Sequence, residues 1–435
     1  MKERRSLLSS KARIQAPFIK VTIGTFTFGV FTKEVQNKKD SNGFYRAVNI
    51  QYPNYVQSLS ITKTNGQVNT YTLQLEYPIG MYDDPNFFEK VFSSVSNSRK
   101  IIFSYGDSST PNFIYKDEEA IITKVTSSFN VGSKSSISYT VYATSNCALG
   151  LSGCYTFMGG LKKPSDEIKK IFSDKSYGLQ SLFTGMTTSK LSEFIAGDDK
   201  AVKIEGKTNI SILEYISYLV SCMTPAGSTE DSISKDIYIL TIHDQVDYDD
   251  LYDDGTNISG TYFKVTRTSY KTEHADAYTI DIGYNDKSSN TLVTNFSTSN
   301  SENYSLYYNY QQKLVPDQYT KRLNNQGQWE DVFAPTITSK NNNYLTRTED
   351  VSWWTKITQY PITASITIQG LLRPALLMTY VRLNVYFPGI SGGGAEEGNG
   401  TRRHISSGLY IVTGQQDSIN SSGYKTTLSL TKISG

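Results

Sequence analysis

Along much of the chain, apolar side chains recur at every second position. At the C-terminal end Leu409 and Ile411 alternate with Tyr410 and Val412. Beyond a polar connection over 414–423, Tyr424, Thr426, Leu428 and Leu430 alternate with Lys425, Thr427, Ser429 and Thr431. A period of two marks strands with one buried face, so 408–433 is expected to form a closing hairpin, with Gly414 and Gly423 bounding its connection. A second hairpin is expected where Val56–Thr64 and Val68–Ile79 flank Asn65-Gly66, a dipeptide suited to a tight turn. Further strands are expected over 16–32, with a bulge or turn at Gly24, and over 100–105, 119–129, 136–143, 237–243, 261–270 and 277–284. The segments around 365–369 and 381–387 read the same way.

Two stretches follow helical spacing instead. Asp83-Asp84-Pro85-Asn86 precedes Phe87, Phe88, Val91, Phe92 and Val95. Proline belongs in a first turn and acids complement the helix N-terminus, so a helix is expected there. From 146 to 235 helix signals dominate. Lys163-Pro164-Ser165-Asp166 opens one helix, shorter ones are expected over 179–183 and 191–195, and another follows the cap candidates of Thr208–Ser211. That last helix carries Ile212, Tyr215, Ile216, Leu219 and Val220 as an apolar stripe.

Between these elements lie polar stretches. Residues 33–46 read as a loop with a turn at Ser41-Asn42-Gly43, and the glycines of 388–404 read as a flexible loop. The acidic run 244–257, with Asp244, Asp247, Asp249, Asp250, Asp253 and Asp254, lacks the spacing of a calcium loop and is expected to be a solvated loop. Residues 285–350 are irregular and rich in Asn, Ser, Thr and Tyr. Their aromatics (Tyr304, Tyr307, Tyr308, Tyr310, Trp329 and Phe333) suggest an extended segment ordered against a neighbouring surface.

Composition sharpens the β reading. Charged residues are 19% and hydrophobic ones 38% of 435 residues, both below the usual level, while Tyr reaches 32 and Phe 19. Tyr and Thr fit pleated, half-wet surfaces. A net charge of +2 makes no case for nucleic-acid binding by overall charge, and the basic cluster Lys2, Arg4, Arg5, Lys11, Arg13 is expected to be a solvated arm. Three cysteines, Cys147, Cys154 and Cys222, are too few and too scattered for a disulfide framework or a zinc set, and suit a reducing cytoplasm. No signal peptide is expected, and no apolar run reaches the roughly 20 residues a membrane span needs. No G-x-S-x-G, P-loop, H-E-x-x-H or G-x-G-x-x-G is present. His243, His274 and His404 stand without partners at a recognisable spacing and are expected at surface or edge positions. No catalytic, cofactor-binding or metal-binding residue is assigned.

Several phrases together resemble the baseplate hub proteins of phage tails, a family also found in contractile injection systems. At the C-terminus the residues are Gly408, Tyr410, Val412, Asp417, Ile419, Gly423, Tyr424, Thr426, Leu428 and Leu430, with family members often carrying His at the position of Asp417. Nearer the N-terminus, YPNYVQSLSITKTNGQVNTYTLQLEY, DPNFFEKVF and KIIFSYGD follow one another in the family's order, as do PITASITIQGLLRP and VRLNVYFPG before the closing hairpin. The resemblance implies a mainly β fold: two tail-tube-like antiparallel β-barrel domains plus a small helix-rich α+β domain. The expected division is 1–145 for the first barrel, 146–236 for the insertion, 237–300 with 351–435 for the second barrel, and 301–350 for a segment contacting neighbours. It further implies a structural, non-enzymatic virion protein in the tail baseplate, made and assembled in the bacterial host cytoplasm. A homotrimer would join tail tube to central spike and touch other baseplate proteins. Its channel would admit a tape-measure protein and, transiently, DNA, with no stable membrane insertion and no cofactor. Two alternatives belong to other classes. One is a tail-associated peptidoglycan hydrolase, for which Glu193 and Glu214 make a poor carboxylate pair. The other is a carbohydrate-binding β protein, suggested by the Tyr-rich region.

Overall fold

The computed structural model describes residues 17–30, 34–39, 45–50, 53–78, 91–92, 99–107, 114–130, 136–226, 237–244, 260–268, 278–283, 293–300, 321–323, 329–331, 362–369, 377–388, 401–403 and 406–434. The chain is mainly β with a small α-containing unit, as expected.

The first β unit comprises β1 (Pro17–Ile23), β2 (Phe26–Val30), the separate ribbon β3 (Glu34–Lys39) and β4 (Tyr45–Ile50), β5 (Val56–Thr64), β6 (Thr70–Pro78), β7 (Lys100–Asp107), β8 (Ile114–Asn130) and β9 (Ser136–Ser145). Its antiparallel sheet runs β5-β6-β9-β8-β7-β1-β2. Gly29 N donates to Pro53 O, just ahead of β5, so the last strand curls back toward the first. The alternation read from the sequence is the burial pattern: Leu59 and Ile61, then Tyr71, Leu73 and Leu75, then Ile101, Phe103 and Tyr105 point into one core. Asn65 and Gly66 occupy the expected turn, closed by Gln67 N to Thr64 O at 3.2 Å. Gly66 has φ +70°, a left-handed value that favours glycine. The second strand resumes at Thr70 rather than Val68. Of the helix expected over 85–95, only Val91 and Phe92 are among the described residues. Val91 is buried in this core and Phe92 packs on Tyr139.

The middle unit follows with α1 (Ala148–Leu151), β10 (Cys154–Phe157), β11 (Gly160–Lys162), α2 (Pro164–Ser173), α3 (Leu179–Leu182), α4 (Leu191–Phe194), β12 (Val202–Ile204), β13 (Lys207–Ser211), α5 (Ile212–Cys222), β14 (Ile237–His243) and β15 (Tyr262–Thr268). Pro164 opens α2 as the sequence suggests. Ser211 caps α5 in a reciprocal capping box with Glu214, and the predicted stripe is buried throughout. The aromatic rings of Phe157 and Tyr215 stack with centroids 3.8 Å apart. Strands β14 and β15, expected to open the second barrel, pair with each other, and Tyr238, Leu240, Ile242, Tyr262, Phe263 and Val265 lie in the core of this middle unit. Their apolar side chains share that core with residues of the helices, a long-range packing that strand periodicity alone does not encode.

The second β unit contains β16 (Tyr278–Gly283), β17 (Val293–Asn300), the small ribbon β18 (Lys321–Leu323) and β19 (Trp329–Asp331), β20 (Ile362–Gln369), β21 (Tyr380–Pro388), β22 (Thr401–Arg403), β23 (Gly408–Asn420) and β24 (Gly423–Ser434). Within the stretch read as irregular, β17 is a strand paired antiparallel with β20. Most of the 301–350 segment lies outside the described residues, so its contact with a neighbour stands as expectation only. Among the described strands of this unit, pairing is antiparallel except for β16 with β21, which is parallel.

The closing hairpin is longer than its hydrophobic pattern suggested. Its strands reach Asn420 and restart at Gly423, so the stretch read as a polar connection is strand. Gly408–Ile411 pairs with β21, whereas Gly414–Asn420 pairs with β5 of the first unit. One sheet therefore runs through both β units. Tyr410, Val412, Leu428 and Leu430 at the root of the hairpin fill the second core, while Ile419 and Tyr424 at its tip fill the first.

Candidate functional site

Where the hairpin crosses from one unit to the next, the three units meet around buried polar side chains. The turn of β5 and β6 supplies the hub. Asn65 N donates to Thr413 O in the closing hairpin, and Gly66 N donates to Leu240 O in the middle unit at 2.8 Å. Asn65 Nδ2 also reaches Met378 Sδ at 3.6 Å.

Beneath this turn Lys63 Nζ lies 2.8 Å from Glu118 Oε1, with Lys63 3% and Glu118 0% exposed. The other oxygen, Glu118 Oε2, accepts from Tyr71 OH at 3.0 Å and Tyr105 OH at 3.1 Å. Strand alternation explains the convergence. Lys63, Tyr71 and Tyr105 occupy inward positions on β5, β6 and β7, and Glu118 does so on β8. A lysine and a glutamate at such positions are stable only because each meets a partner.

The middle unit contributes Asp244, the residue that follows β14. Asp244 Oδ2 accepts from Asn69 Nδ2 at 2.7 Å, from Ser145 Oγ, and from Tyr71 OH at 3.3 Å. Burial pushes its carboxyl up to about 6, Glu118 adds to the shift, and the Ser145 and Asn69 hydrogen bonds and Lys63 oppose it. Asp244 was expected in a solvated acidic loop. It is 1% exposed, because β14 carries it directly into the junction. The remaining aspartates of 245–257 lie outside the described residues. His243 is also buried rather than at an edge. It stacks on Tyr262, and Nε2 is 2.9 Å from Thr241 Oγ1. Burial, with Lys63 and Lys264 nearby, lowers its pKa to about 3, so the imidazole is neutral at physiological pH. His274 and His404 lie outside the described residues.

The closing hairpin contributes Asp417, fully buried. Its Oδ1 accepts from Tyr424 OH at 3.0 Å and Thr426 Oγ1 at 2.6 Å, and its Oδ2 accepts from Gln415 Nε2 at 2.7 Å. Burial raises its pKa, and Lys63 pulls it back. Gln415 and Asp417 are, with Ile419, the inward residues of the stretch mistaken for a connection. Their polarity concealed the strand, and the signal that could have found it was alternation of position rather than of hydrophobicity.

The arrangement ties strands of the three units together through buried polar side chains. Among the described residues no group of three His, Cys, Asp or Glu side chains could hold a metal ion. Cys147 and Cys222 are buried, Cys154 is exposed, and none of the three forms a disulfide. Glu193 lies in the first turn of α4. Glu214 Oε2 is engaged by Ser211 N and Oγ at 3.1 and 2.8 Å, and these hydrogen bonds hold its pKa below the ordinary value. A carboxylate tied into a helix cap is poorly placed for acid catalysis. No helix of the described residues is long and apolar enough to cross a membrane.

No family model and no curated protein matches the chain. Among solved structures it is similar to the tail protein from Neisseria meningitidis MC58, at 10% identity and a TM-score of 0.47, over 96% of both chains. It is similar to the 43 kDa tail protein of prophage MuSo2 from Shewanella oneidensis, at 10% identity and a TM-score of 0.44, over 96% of this chain and 99% of that one. It is also similar to the E. coli c3393 protein, a component of the type VI secretion system, at 11% identity and a TM-score of 0.38, over 89% and 76% of the two chains.

Proposed function

We propose that this chain is a structural, non-enzymatic hub subunit of a phage-type tail or contractile injection machine. In this reading three copies close into a ring that receives the tail tube on one side and a central spike on the other. Its two β units would then line a channel for a tape-measure protein and, in passing, DNA. The observation that carries the proposal is the strand β23. It hydrogen-bonds to β21 in one unit and to β5 in the other, fixing the two units in one sheet rather than stringing them on a linker. A ring under axial load needs subunits whose halves keep a set angle, and a shared sheet provides it. The hub-like phrases of the sequence fall on these same strands: VQSLSITKT is β5, and the C-terminal motif is β23 and β24. Closed symmetric rings form through interfaces that a rigid subunit can repeat without distortion.

The direct test is the mass of the purified chain by sedimentation or native mass spectrometry, alone and mixed with candidate tail tube and spike proteins. A trimer, or a monomer that becomes a ring with those partners, is expected. A chain that stays monomeric in every mixture overturns the hub.

A further inference from the structure

Three buried carboxylates surround Lys63: Glu118, Asp244 and Asp417, each 1% exposed or less. Among the described residues Lys63 is the cation that acts on all three, through its contact with Glu118 and through its field at Asp244 and Asp417. Such a set cannot be fully ionised without leaving excess negative charge in a site shut off from water.

Hydrogen bonding identifies the weakest carboxylate. Glu118 has Lys63 on one oxygen and two tyrosines on the other. Asp417 has donors on both oxygens. Asp244 has all its donors on Oδ2, and its Oδ1 is buried with no hydrogen-bond partner among the described residues. One of its donors is also shared. Tyr71 carries a single hydroxyl proton and lies closer to Glu118, at 3.0 Å, than to Asp244, at 3.3 Å. A proton on Asp244 supplies the donor this pair lacks. Of the remaining titratable neighbours, His243 is neutral, Lys264 of β15 acts on His243, and burial and Asp244 push the Cys147 thiol up so that it stays protonated.

We propose that Asp244 holds a proton in the closed junction, and that losing it as pH rises loosens the middle unit's attachment to the first β unit. The sign follows from linkage. A carboxyl whose pKa is raised in the closed state favours closure below its ordinary pKa, and that contribution is lost as pH climbs through the raised value, here about 6. Closure is therefore tighter under acid conditions than at neutrality. The inference concerns cohesion within one chain and stands whether or not the chain forms a ring.

Amide hydrogen exchange of the full chain tests it, with opening constants taken after correction for the intrinsic exchange rate. For β14 the constant is expected to be about tenfold larger at pH 8 than at pH 5, as a shift of about two pKa units requires. Strand β20, outside the junction, serves as the control and stays flat. Asp244→Asn keeps an acceptor for Asn69 and Ser145 without the titrating proton, and is expected to abolish the pH slope at β14. An unchanged slope in that variant overturns the proposal. Should the variant fail to fold, the wild-type profile decides. A rise at β14 but not at β20 supports the latch, and a flat or uniform profile overturns it.

Discussion

Helix α5 buries Ile212, Tyr215, Ile216, Leu219, Val220 and Cys222 from one segment of 11 residues. The junction at Lys63 draws its equally buried side chains from positions 63, 71, 105, 118, 244 and 417, one or more from each of the three units. The helix region is held by apolar area, which is additive and forgiving of direction. The junction is held by matched polar groups, which stabilise only as a set. The comparison teaches that hydrophobic packing builds the units, and that where they join, matched polar groups are added to the shared strand pairing and the apolar contacts of Ile419 and Tyr424.

The sharpest way to break the comparison is to remove one member of the polar set. Lys63→Met leaves Glu118 buried without its cation and is expected to lower stability by about 3–5 kcal/mol. Adding Glu118→Gln removes the orphaned charge while keeping an acceptor for Tyr71 and Tyr105, and should recover most of the loss. Chemical denaturation of the two single variants and the double variant measures the coupling. If the double variant is as weak as the sum of the singles, the set is not cooperative and the contrast with α5 falls.

The same contrast explains what could be read in advance. The hairpin of β5 and β6, helix α5 with its Ser211 cap and the final strand β24 were legible because their signals are local: period two, period 3.6, a cap residue and a turn dipeptide. The second half of β23 was not, since Gln415 and Asp417 are inward residues whose polarity makes sense only beside Tyr424, Thr426 and Lys63. Asp244 was misread for a related reason. Five further aspartates follow it, and composition alone could not separate the one that β14 carries inward. His243 was placed at a surface or edge because no partner stood at a recognisable spacing, and its stacking on Tyr262 is visible only in three dimensions. The order of phrases located these strands but divided them between two barrels, and the sheet's continuity through β5 and β23 emerged only in three dimensions.

On the apolar side, Leu219→Ala should destabilise the middle unit by about 2–5 kcal/mol, the range for a fully buried leucine whose cavity cannot collapse completely. Here no second substitution on a charge partner restores the loss, whereas a volume-restoring Leu219→Met should cost less than about 1.5 kcal/mol. Thermal unfolding followed by circular dichroism distinguishes the two. A Met variant as damaged as the Ala variant would mean that the helix is fixed by shape as strictly as the junction is by charge.

The smallest effect is expected where a polar interaction serves a purely local end. Ser211 Oγ accepts from Glu214 N at 3.2 Å, and the Glu214 carboxylate accepts from Ser211 N in return. Ser211→Ala removes one side of this box and is expected to weaken the start of α5 by about 1 kcal/mol. Exchange of the first-turn amides should quicken by roughly fivefold, while amides of β5 and β23 at the junction keep their rates. The distinction is physical rather than one of degree. A cap satisfies groups that water could reach if the helix frayed, so its loss is partly made good by solvent. Water cannot reach the carboxylates of the junction while the three units stay together, so a lost partner there must be answered by opening the units themselves.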